Sequence, residues 1–353
     1  MTNGAAGSGV AVLGAGAWGT ALAVHAARAG SPVTLWARSP EFGAVLAEER
    51  VNERYLPGVE LPAELRVTWD LRQAAVCDPV LVVVPSHGFR GVVRSFLEAR
   101  NGLGDGAPLP ERVTFVSGAK GIESDHRGGF RCMSDICREE AVSAGTDALF
   151  ATISGPSFAA ELAAELPTAC VVASESEVAA ERLQSLLSGG ALRLYTSTDV
   201  IGVEIAAAAK NVIAIAAGVL DGLRYGSNTR AALITRGLHE MMRLGLACGG
   251  RPATFAGLGG LGDLVLTCTG GLSRNRSTGL ELARGRSLEE IEADRAGVAE
   301  GVRNSLALLE LATEKEVELP ITEQMVEILY RGKEPAAAIR DLMRRELKVE
   351  SAL

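Results

Sequence analysis

The N-terminal region contains the run GVAVLGAGAWGTALAVHAARAG at residues 9–30. Its first five residues are apolar or glycine and are typical of a short, buried parallel strand. Gly14, Gly16 and Gly19 follow at once, and the rest has the spacing of a helix closed by Gly30. A GxGxxG string alone is weak evidence, because glycine recurs in many turns. Between a strand and a helix it predicts a dinucleotide-binding turn of the doubly wound α/β class.

Each glycine of this turn has a physical role in such a fold. Gly14 permits the tight turn, Gly16 lets a pyrophosphate approach the backbone, and Gly19 lets the helix pack on the strand. The helix N-terminus adds N–H donors and the positive end of the helix dipole. The alternative is a generic glycine-rich connection that binds no nucleotide.

The second strand, PVTLWAR, ends near Arg38, where an acidic residue would hold the ribose hydroxyls of NAD. No acid stands there. Arg38 and Ser39 favour contact with a 2′-phosphate, so NADPH is the favoured cofactor and NADH the other option. An arginine stacked on adenine would give the same sequence pattern.

Further buried strands are predicted in PVLVVVP, RVTFVSGAKGIE, ALFATISG and TACVVAS, and strand signals stop after Tyr195. From Asp199 onward the pattern is helical. We therefore predict a Rossmann-type domain over residues 1–198 and an all-α domain over residues 199–353.

Two polar residues follow strands at the edge of the sheet where ligands bind. His87 lies in SHGF, expected to be a loop, and is a candidate acid or base, although a structural role is the more common one for such a histidine. Lys120 lies between Gly118 and Gly121, a spacing that suggests backbone close to a bound group.

A second candidate centre lies in VEIAAAAKNVIAIAAGVL, residues 203–220, which is apolar on nearly every face and so predicts a buried helix. Lys210 stands at its middle, and a buried ammonium group must be paired, neutralised or used. It could snorkel to the surface, pair with Glu204, or act as an acid or base. A membrane span is not expected, because two central polar residues would be costly in lipid.

Two polar clusters follow in the helical half. Asp263 lies in GLGGLGDLVLTCT, and the sequence SRNR (residues 273–276), expected in a loop, offers an arginine fork for a phosphate monoester. A helix cap and a solvated basic loop are the alternatives. His239 is expected on the solvated face of a helix.

Composition excludes several classes of protein. The 353 residues are 47% hydrophobic and 22% charged, with a formal net charge of −8, which argues against a nucleic-acid partner. Six scattered cysteines and four histidines suggest neither a disulfide framework nor a metal site. The N-terminus lacks the features of a secretory signal, so a cytoplasmic protein is expected.

Ten motifs occur in a fixed order: GAGAWGTALA, NERYLPG, VVVPSH, SGAKGIE, ISGPSFAAE, AAAAKNVIAI, GLGDLVLTCT, SRNR, VAEGVRN and LPITE. Together they resemble the bacterial NAD(P)-dependent sn-glycerol-3-phosphate dehydrogenases, over almost the whole chain. The resemblance implies a Rossmann domain, a helical domain, a homodimer, and reversible reduction of dihydroxyacetone phosphate to sn-glycerol 3-phosphate for phospholipid synthesis.

The resemblance also implies roles for single residues. It gives Lys210 the role of proton donor and acceptor. The implied substrate contacts are Lys120, Gly155, Ser157, Lys210, Asp263, Ser273, Arg274 and Asn275. The implied cofactor contacts, besides the glycines, are Ala17, Trp18, Arg38, Tyr55, Lys120, Ala159, Arg274, Val298 and Glu300.

Ala17 and Ala119 depart from the family pattern, since each replaces a hydroxyl residue that is frequent there. Two other readings remain open. One is a related two-domain reductase of another hydroxyacid or hydroxyacyl substrate, and the other is a protein that senses NADPH without turnover.

Overall fold

The computed structural model describes residues 9–104, 109–124, 129–294, 299–347 and 349–350. The chain divides into two compact units. The first comprises residues 1–119 and 133–200, and the second comprises residues 120–132 and 201–353. The predicted division at residue 198 places residues 120–132 in the first domain, whereas in the structure they group with the second unit.

Strands occur in both units. They are β1 (Val10–Leu13), β2 (Val33–Trp36), β3 (Val51–Asn52), β4 (Leu56–Glu60), β5 (Arg66–Thr68), β6 (Val80–Val82), β7 (Val113–Ser117), β8 (Glu123–Ser124), β9 (Phe130–Arg131), β10 (Ala148–Ser154), β11 (Thr168–Ala173) and β12 (Leu192–Ser197).

The first unit is built on a sheet whose strands, among the described residues, lie in the order β12-β11-β10-β7-β6-β1-β2-β5. Neighbouring strands are parallel apart from the antiparallel pair β10–β11. Strand β1 lies between β2 and β6, so the strand order reverses there. Such a reversal opens a crevice at the carboxyl ends of the two strands, and the glycine turn after β1 lies at this crevice.

Helices cover the sheet of the first unit, and they are α1 (Ala17–Arg28), α2 (Pro40–Glu49), α3 (Leu71–Ala74), α4 (Ser86–Asn101), α5 (Met133–Ser143), α6 (Ala159–Ala163) and α7 (Glu177–Leu187). Two apolar clusters, built around Leu35 and Phe115, pack between sheet and helices. The burial of every residue of β1 and β2 is typical of a parallel sheet covered on both faces. The predicted Rossmann-type α/β fold is confirmed.

The second unit is helical apart from the β8–β9 ribbon. Its helices are α8 (Val200–Gly222), α9 (Ser227–Ala247), α10 (Pro252–Ala256), α11 (Asp263–Thr269), α12 (Arg274–Ala283), α13 (Leu288–Ala293), α14 (Glu300–Glu314), α15 (Pro320–Arg331) and α16 (Pro335–Met343), with a π-helical turn at Leu258–Gly262.

Helix α8 is the centre of the second unit. Its apolar residues form one cluster with residues of α9, α11, α14 and α15. Within the part of the chain that the structure describes, it is the one helix long and apolar enough to span a membrane. Of its most apolar window, 94% is buried inside the protein, which is the behaviour of a core helix.

Candidate active site

The glycine turn of the first unit can be built only with glycine at two positions. Gly14 has φ of +119°, and a Cβ there would lie 2.4 Å from the carbonyl oxygen of Val83. A Cβ on Gly19 would lie 1.9 Å from the carbonyl oxygen of Gly14. The first constraint comes from the neighbouring strand and the second from the start of α1, so the turn brings that helix N-terminus close to the edge of the sheet.

This turn has the features of a cradle for a dinucleotide. A Cβ on Gly16 would meet no heavy atom of the described residues within 4 Å, so packing does not explain that glycine. Helix α1 begins at Ala17 with no side-chain cap from the described residues and no acid in its first turn. The indole Nε1 of Trp18 is buried and has no hydrogen-bond partner among those residues. Uncapped N–H groups at a helix N-terminus suit a pyrophosphate, and the residues fit the predicted cofactor.

Asn52 holds the glycine turn in place. Its Nδ2 donates to the carbonyl oxygen of Ala15 at 3.0 Å and to the hydroxyl of Thr20 at 2.7 Å. Its Oδ1 accepts from the backbone N–H of Tyr55, whose ring meets Phe42 edge to face. Tyr55 is thereby tied to the turn. The sequence analysis missed Asn52, although it lies in the quoted NERYLPG motif.

Arg38 and Ser39 differ in their availability to a ligand. Arg38 is exposed two residues after β2. Ser39 is the N-cap of α2, where its hydroxyl accepts from the N–H of Phe42 at 3.2 Å and donates to Glu41 at 2.6 Å. Because the Ser39 hydroxyl is already engaged, Arg38 is the stronger candidate for contact with the adenosine end of a cofactor.

Three further predicted contacts follow strand β10. Gly155 has φ of +139°, and a Cβ there would lie 2.9 Å from the Cα of Cys170, so backbone conformation and packing both require glycine at this position. The Ser157 hydroxyl donates to the carbonyl oxygen of Gly155 at 2.8 Å. Ala159 is the first residue of α6. These residues share one strand-to-helix turn.

In the second unit, Lys210 is buried inside α8 with 5% of its surface exposed. Its Nζ donates to Oδ1 of Asp263 at 2.8 Å and to the hydroxyl of Thr267 at 2.7 Å. The lysine therefore neither snorkels to the surface nor takes Glu204 as its ion-pair partner.

Asp263 is presented by the π-helical turn and α11. It is the first residue of α11 and 1% exposed, and Thr267 lies one helical turn later on the same face. The Thr267 hydroxyl donates to the carbonyl oxygen of Asp263 at 2.6 Å, which leaves its lone pairs to accept from Lys210. Oδ2 of Asp263 accepts from Nζ of Lys120 at 2.7 Å. One carboxylate thus joins two lysines.

Burial and charge set the protonation of this triad in opposite directions. Burial lowers the pKa of Lys210 to about 8, Asp263 acts to raise it, and the positive charge of Lys120 lowers it further. Burial acts to raise the pKa of Asp263, but the two lysines outweigh it, so that pKa is lowered and the carboxylate stays ionised. Burial raises the pKa of the Cys268 thiol to about 12, so it stays neutral. The result is a lysine that can gain or lose a proton near neutral pH.

Buried asparagines surround the triad. Nδ2 of Asn211 donates to the carbonyl oxygen of Lys120 at 3.3 Å, and its Oδ1 accepts from Nδ2 of Asn275 at 2.8 Å. Oδ1 of Asn275 accepts from the backbone N–H of Gly301 at 3.0 Å. Asn304 also donates to the carbonyl oxygen of Lys120. Thr267 and Asn304 were missed from sequence, although both lie in quoted motifs.

The expectation of a loop at residues 273–276 is wrong, because these residues begin a helix. Ser273 is the N-cap of α12, and its hydroxyl accepts from the N–H of Arg276 at 3.2 Å. Arg276 is paired with Asp221 at 2.6 Å. Arg274 is exposed, with no ion pair to another described residue. Of the two arginines, Arg274 is the one available to a phosphate.

The remaining candidates have simpler positions. His87 is exposed in the first turn of α4 rather than in a loop. His239 is half-buried rather than solvated, with its Nδ1 buried. Glu300 begins α14, and Val298 lies outside the described residues. Among the described residues no group of His, Cys, Asp or Glu is placed to hold a metal ion.

Both units match known families along the sequence. Residues 9–180 match the family model described as NAD-dependent glycerol-3-phosphate dehydrogenase N-terminus, and residues 199–340 match the corresponding C-terminus model. The chain belongs to the NAD-dependent glycerol-3-phosphate dehydrogenase family. It is therefore an oxidoreductase that uses a nicotinamide cofactor.

Members of the glycerol-3-phosphate dehydrogenase family resemble the chain over nearly its whole length. The glycerol-3-phosphate dehydrogenase (NAD(P)+) of Citrifermentans bemidjiense is 48% identical over 342 residues, which cover 97% of this chain and 98% of that protein. That of Desulfotalea psychrophila is 47% identical over 344 residues, with the same coverage. The crystal structure of glycerol-3-phosphate dehydrogenase from Coxiella burnetii superimposes with a TM-score of 0.87 at 38% identity, covering 96% of this chain and 99% of that one.

Proposed function

We propose that this protein catalyses the reversible reduction of dihydroxyacetone phosphate to sn-glycerol 3-phosphate with NAD(P)H. The observation that carries the proposal is the buried Lys210, whose Nζ is held by Asp263 and Thr267 and whose pKa is lowered to about 8. An ammonium group has three N–H donors, and two of them are directed to these partners. The third is available to the carbonyl oxygen at C2 of the substrate.

Lys210 acts as general acid in the direction of reduction. When bound, the nicotinamide supplies the hydride that converts the C2 carbonyl carbon into an alcohol carbon. As negative charge develops on the C2 oxygen, the Lys210 ammonium group stabilises it and then donates a proton to it. In the reverse reaction the neutral Lys210 amine removes the proton from the C2 hydroxyl. A pKa near neutrality allows both directions.

Asp263 orients Lys210 and keeps it charged. Its two oxygens hold Lys210 and Lys120 at fixed positions, so neither ammonium group must reorganise during proton transfer. Thr267 fixes a second direction of the Lys210 Nζ. The donor that remains is thereby aimed by the protein rather than by the substrate.

Arg274 is proposed as the anchor for the substrate phosphate. A guanidinium matches a phosphate with two parallel hydrogen bonds, and Arg274 has no competing ion pair among the described residues. Binding energy from the phosphate is then used to orient C2. The further substrate contacts that we propose are Lys120, Gly155, Ser157, Asp263, Ser273 and Asn275.

We also propose the glycine turn as the cofactor site, with NADPH preferred over NADH because of Arg38. The supporting observations are the open space at Gly16 and the unpartnered Nε1 of Trp18. The other proposed cofactor contacts are Gly14, Ala17, Gly19, Ser39, Tyr55, Lys120, Ala159, Arg274, Val298 and Glu300. A homodimer in the cytoplasm that supplies glycerol phosphate for phospholipids completes the proposal.

The test is the loss of reduced-nicotinamide absorbance on addition of dihydroxyacetone phosphate, measured with NADPH and with NADH. Wild type is expected to turn over, and Lys210→Ala is expected to lose activity through kcat while it still binds the cofactor. Unphosphorylated dihydroxyacetone serves as the substrate control and is expected to react poorly. Cofactor binding without turnover would contradict the proposal and favour a sensor, and turnover of a different hydroxyacid would favour another reductase.

A further inference from the structure

Asn304 is a fully buried residue of α14 whose side chain makes two contacts. Its exposed fraction is 0%, and its Nδ2 donates to the carbonyl oxygen of Lys120 at 2.8 Å and to that of Ala208 at 3.1 Å. Because both partners are carbonyl oxygens, the amide nitrogen and not the amide oxygen must face them. The Oδ1 atom is buried and has no partner among the described residues.

These two contacts close a ring of polar links around the candidate acid. Ala208 lies two residues before Lys210 on α8, and the Nζ of Lys210 donates to Asp263. The other oxygen of Asp263 accepts from Nζ of Lys120, and the carbonyl oxygen of Lys120 accepts from Nδ2 of Asn304. Asn304 thus connects the Lys120 backbone to the helix that carries Lys210, in addition to the hydrogen bond that Asn211 of α8 donates to the same carbonyl oxygen.

We propose that Asn304 is a positioning residue for proton transfer, which acts by holding Lys120 so that both lysines share the carboxylate of Asp263. This inference rests on the proposed function of Lys210. Asn304 itself touches neither the reacting atoms nor the carboxylate in the described contacts. Its effect on the reaction passes through Lys120.

Packing alone does not account for Asn304. A buried amide oxygen without a partner carries a free-energy penalty that an apolar side chain of similar shape would avoid. The Nδ2 atom therefore has a use that outweighs this penalty. Asn211 also donates to the Lys120 carbonyl, but at the longer distance of 3.3 Å, so Asn304 provides the shorter of the two hydrogen bonds.

Lys120 is a residue whose position matters for Lys210. Its positive charge lowers the pKa of Lys210, and it occupies one oxygen of the carboxylate that raises that pKa. If Lys120 moved away, repulsion would weaken and Asp263 would interact mainly with Lys210, because Coulomb energy falls with distance. The pKa of Lys210 would then rise, and the substrate oxygen would lose a fixed neighbour.

The first experiment compares wild type with Asn304→Ala by pH-dependent kinetics of dihydroxyacetone phosphate reduction. We expect kcat/KM at neutral pH to fall on the order of 10-fold or more, as for other small misplacements of catalytic groups. The midpoint of the alkaline decline in activity is expected to move above its wild-type value. Ser305→Ala is the matched control, because Ser305 is buried on the same helix and donates to the carbonyl oxygen of Val302 at 2.7 Å, which lies outside the described contacts of Lys120. Its kinetics and pH midpoint should stay at wild-type values.

The second experiment is a double-mutant cycle with Lys120→Ala. If Asn304 acts through Lys120, Asn304→Ala should change neither kcat/KM nor the pH midpoint further in the Lys120→Ala background. Multiplicative losses, or an Asn304→Ala variant with wild-type kinetics and midpoint, would overturn the inference and leave Asn304 a packing residue. If thermal unfolding shows that Asn304→Ala is not folded, Asn304→Ser is measured against the same criteria. Failure of the proposed function is seen separately, as absence of turnover by the wild-type enzyme.

Discussion

Asp263→Asn is the substitution that separates the charge of Asp263 from its shape. Asparagine keeps the size of the side chain and removes the carboxylate that lies 2.8 Å from Nζ of Lys210 and 2.7 Å from Nζ of Lys120. Burial and Lys120 lower the pKa of Lys210, and Asp263 is the principal group that raises it. Without that carboxylate, the pKa of Lys210 should fall below its value of about 8 in the wild type.

The size of the effect follows from the charge that is lost. An opposite charge at close range shifts a pKa by roughly one to three pH units, and removal of the carboxylate should lower the pKa of Lys210 by that order. At pH 7 the fraction of ammonium form would drop from about nine-tenths to between about one-half and about one-hundredth. Loss of the proton donor alone then lowers the rate of reduction by roughly 2- to 100-fold at pH 7.

The assay is the pH profile of kcat/KM for dihydroxyacetone phosphate reduction. In wild type the rate should decline as pH rises through about 8, because the ammonium form of Lys210 is lost. In Asp263→Asn the decline should occur at lower pH, and acidification should restore part of the activity. Glycerol 3-phosphate oxidation needs the neutral amine and should show the opposite trend.

A matched control removes a different buried carboxylate. Asp78 in the first unit pairs with Arg182 at 2.7 Å and accepts from the N–H of Thr114. Asp78→Asn should lower the thermal unfolding temperature without moving the midpoint of the pH profile. A midpoint for Asp263→Asn at or above that of wild type would refute the electrostatic reasoning.

Three further predictions concern the phosphate, the cofactor and the helix packing. In steady-state kinetics, Arg274→Ala should raise KM for dihydroxyacetone phosphate on the order of 10- to 100-fold, which is the usual effect of losing a charged hydrogen-bonded contact. Arg276→Ala breaks the pair with Asp221 and should lower the unfolding temperature more than it changes KM. Arg38→Ala should raise KM for NADPH and leave KM for NADH nearly unchanged, and an equal effect on both cofactors would assign Arg38 to stacking on adenine. Gly218→Ala places a Cβ 1.9 Å from the carbonyl oxygen of Arg276 and should lower the unfolding temperature by roughly 3–10 °C. Gly271→Ala is its control, because a Cβ there meets no described atom within 4 Å and should leave the unfolding temperature unchanged.

Local sequence patterns predicted the elements of the fold well. The apolar runs became strands, for example β1 and β6, because a strand buried on both faces must be apolar throughout. The run around Lys210 became the core helix α8, since a helix without a polar face can only be buried. Glycine spacing predicted the turn at Gly14 because the required φ excludes other residues.

Errors occurred where a local pattern has two solutions. The SRNR segment has the polarity of a loop, but the hydroxyl of Ser273 caps a helix there and the helix begins one residue later. Residues 120–132 follow a Rossmann strand in sequence and yet group with the helical unit. Packing across long sequence separations decides such cases, and no window of neighbouring residues contains that information.

The sequence by itself determined the class of fold, the glycine turn after β1 and the presence of a buried lysine, because each depends on residues close together in the chain. Only the tertiary structure decided what that lysine contacts. Lys210, Asp263 and Lys120 are separated by 53 and 143 positions along the chain, and they meet within 2.8 Å only after α8, α11 and the segment after β7 have packed together. Burial then lowers the pKa of Lys210 while Asp263 opposes that change, and this balance between desolvation and charge exists only in the folded protein.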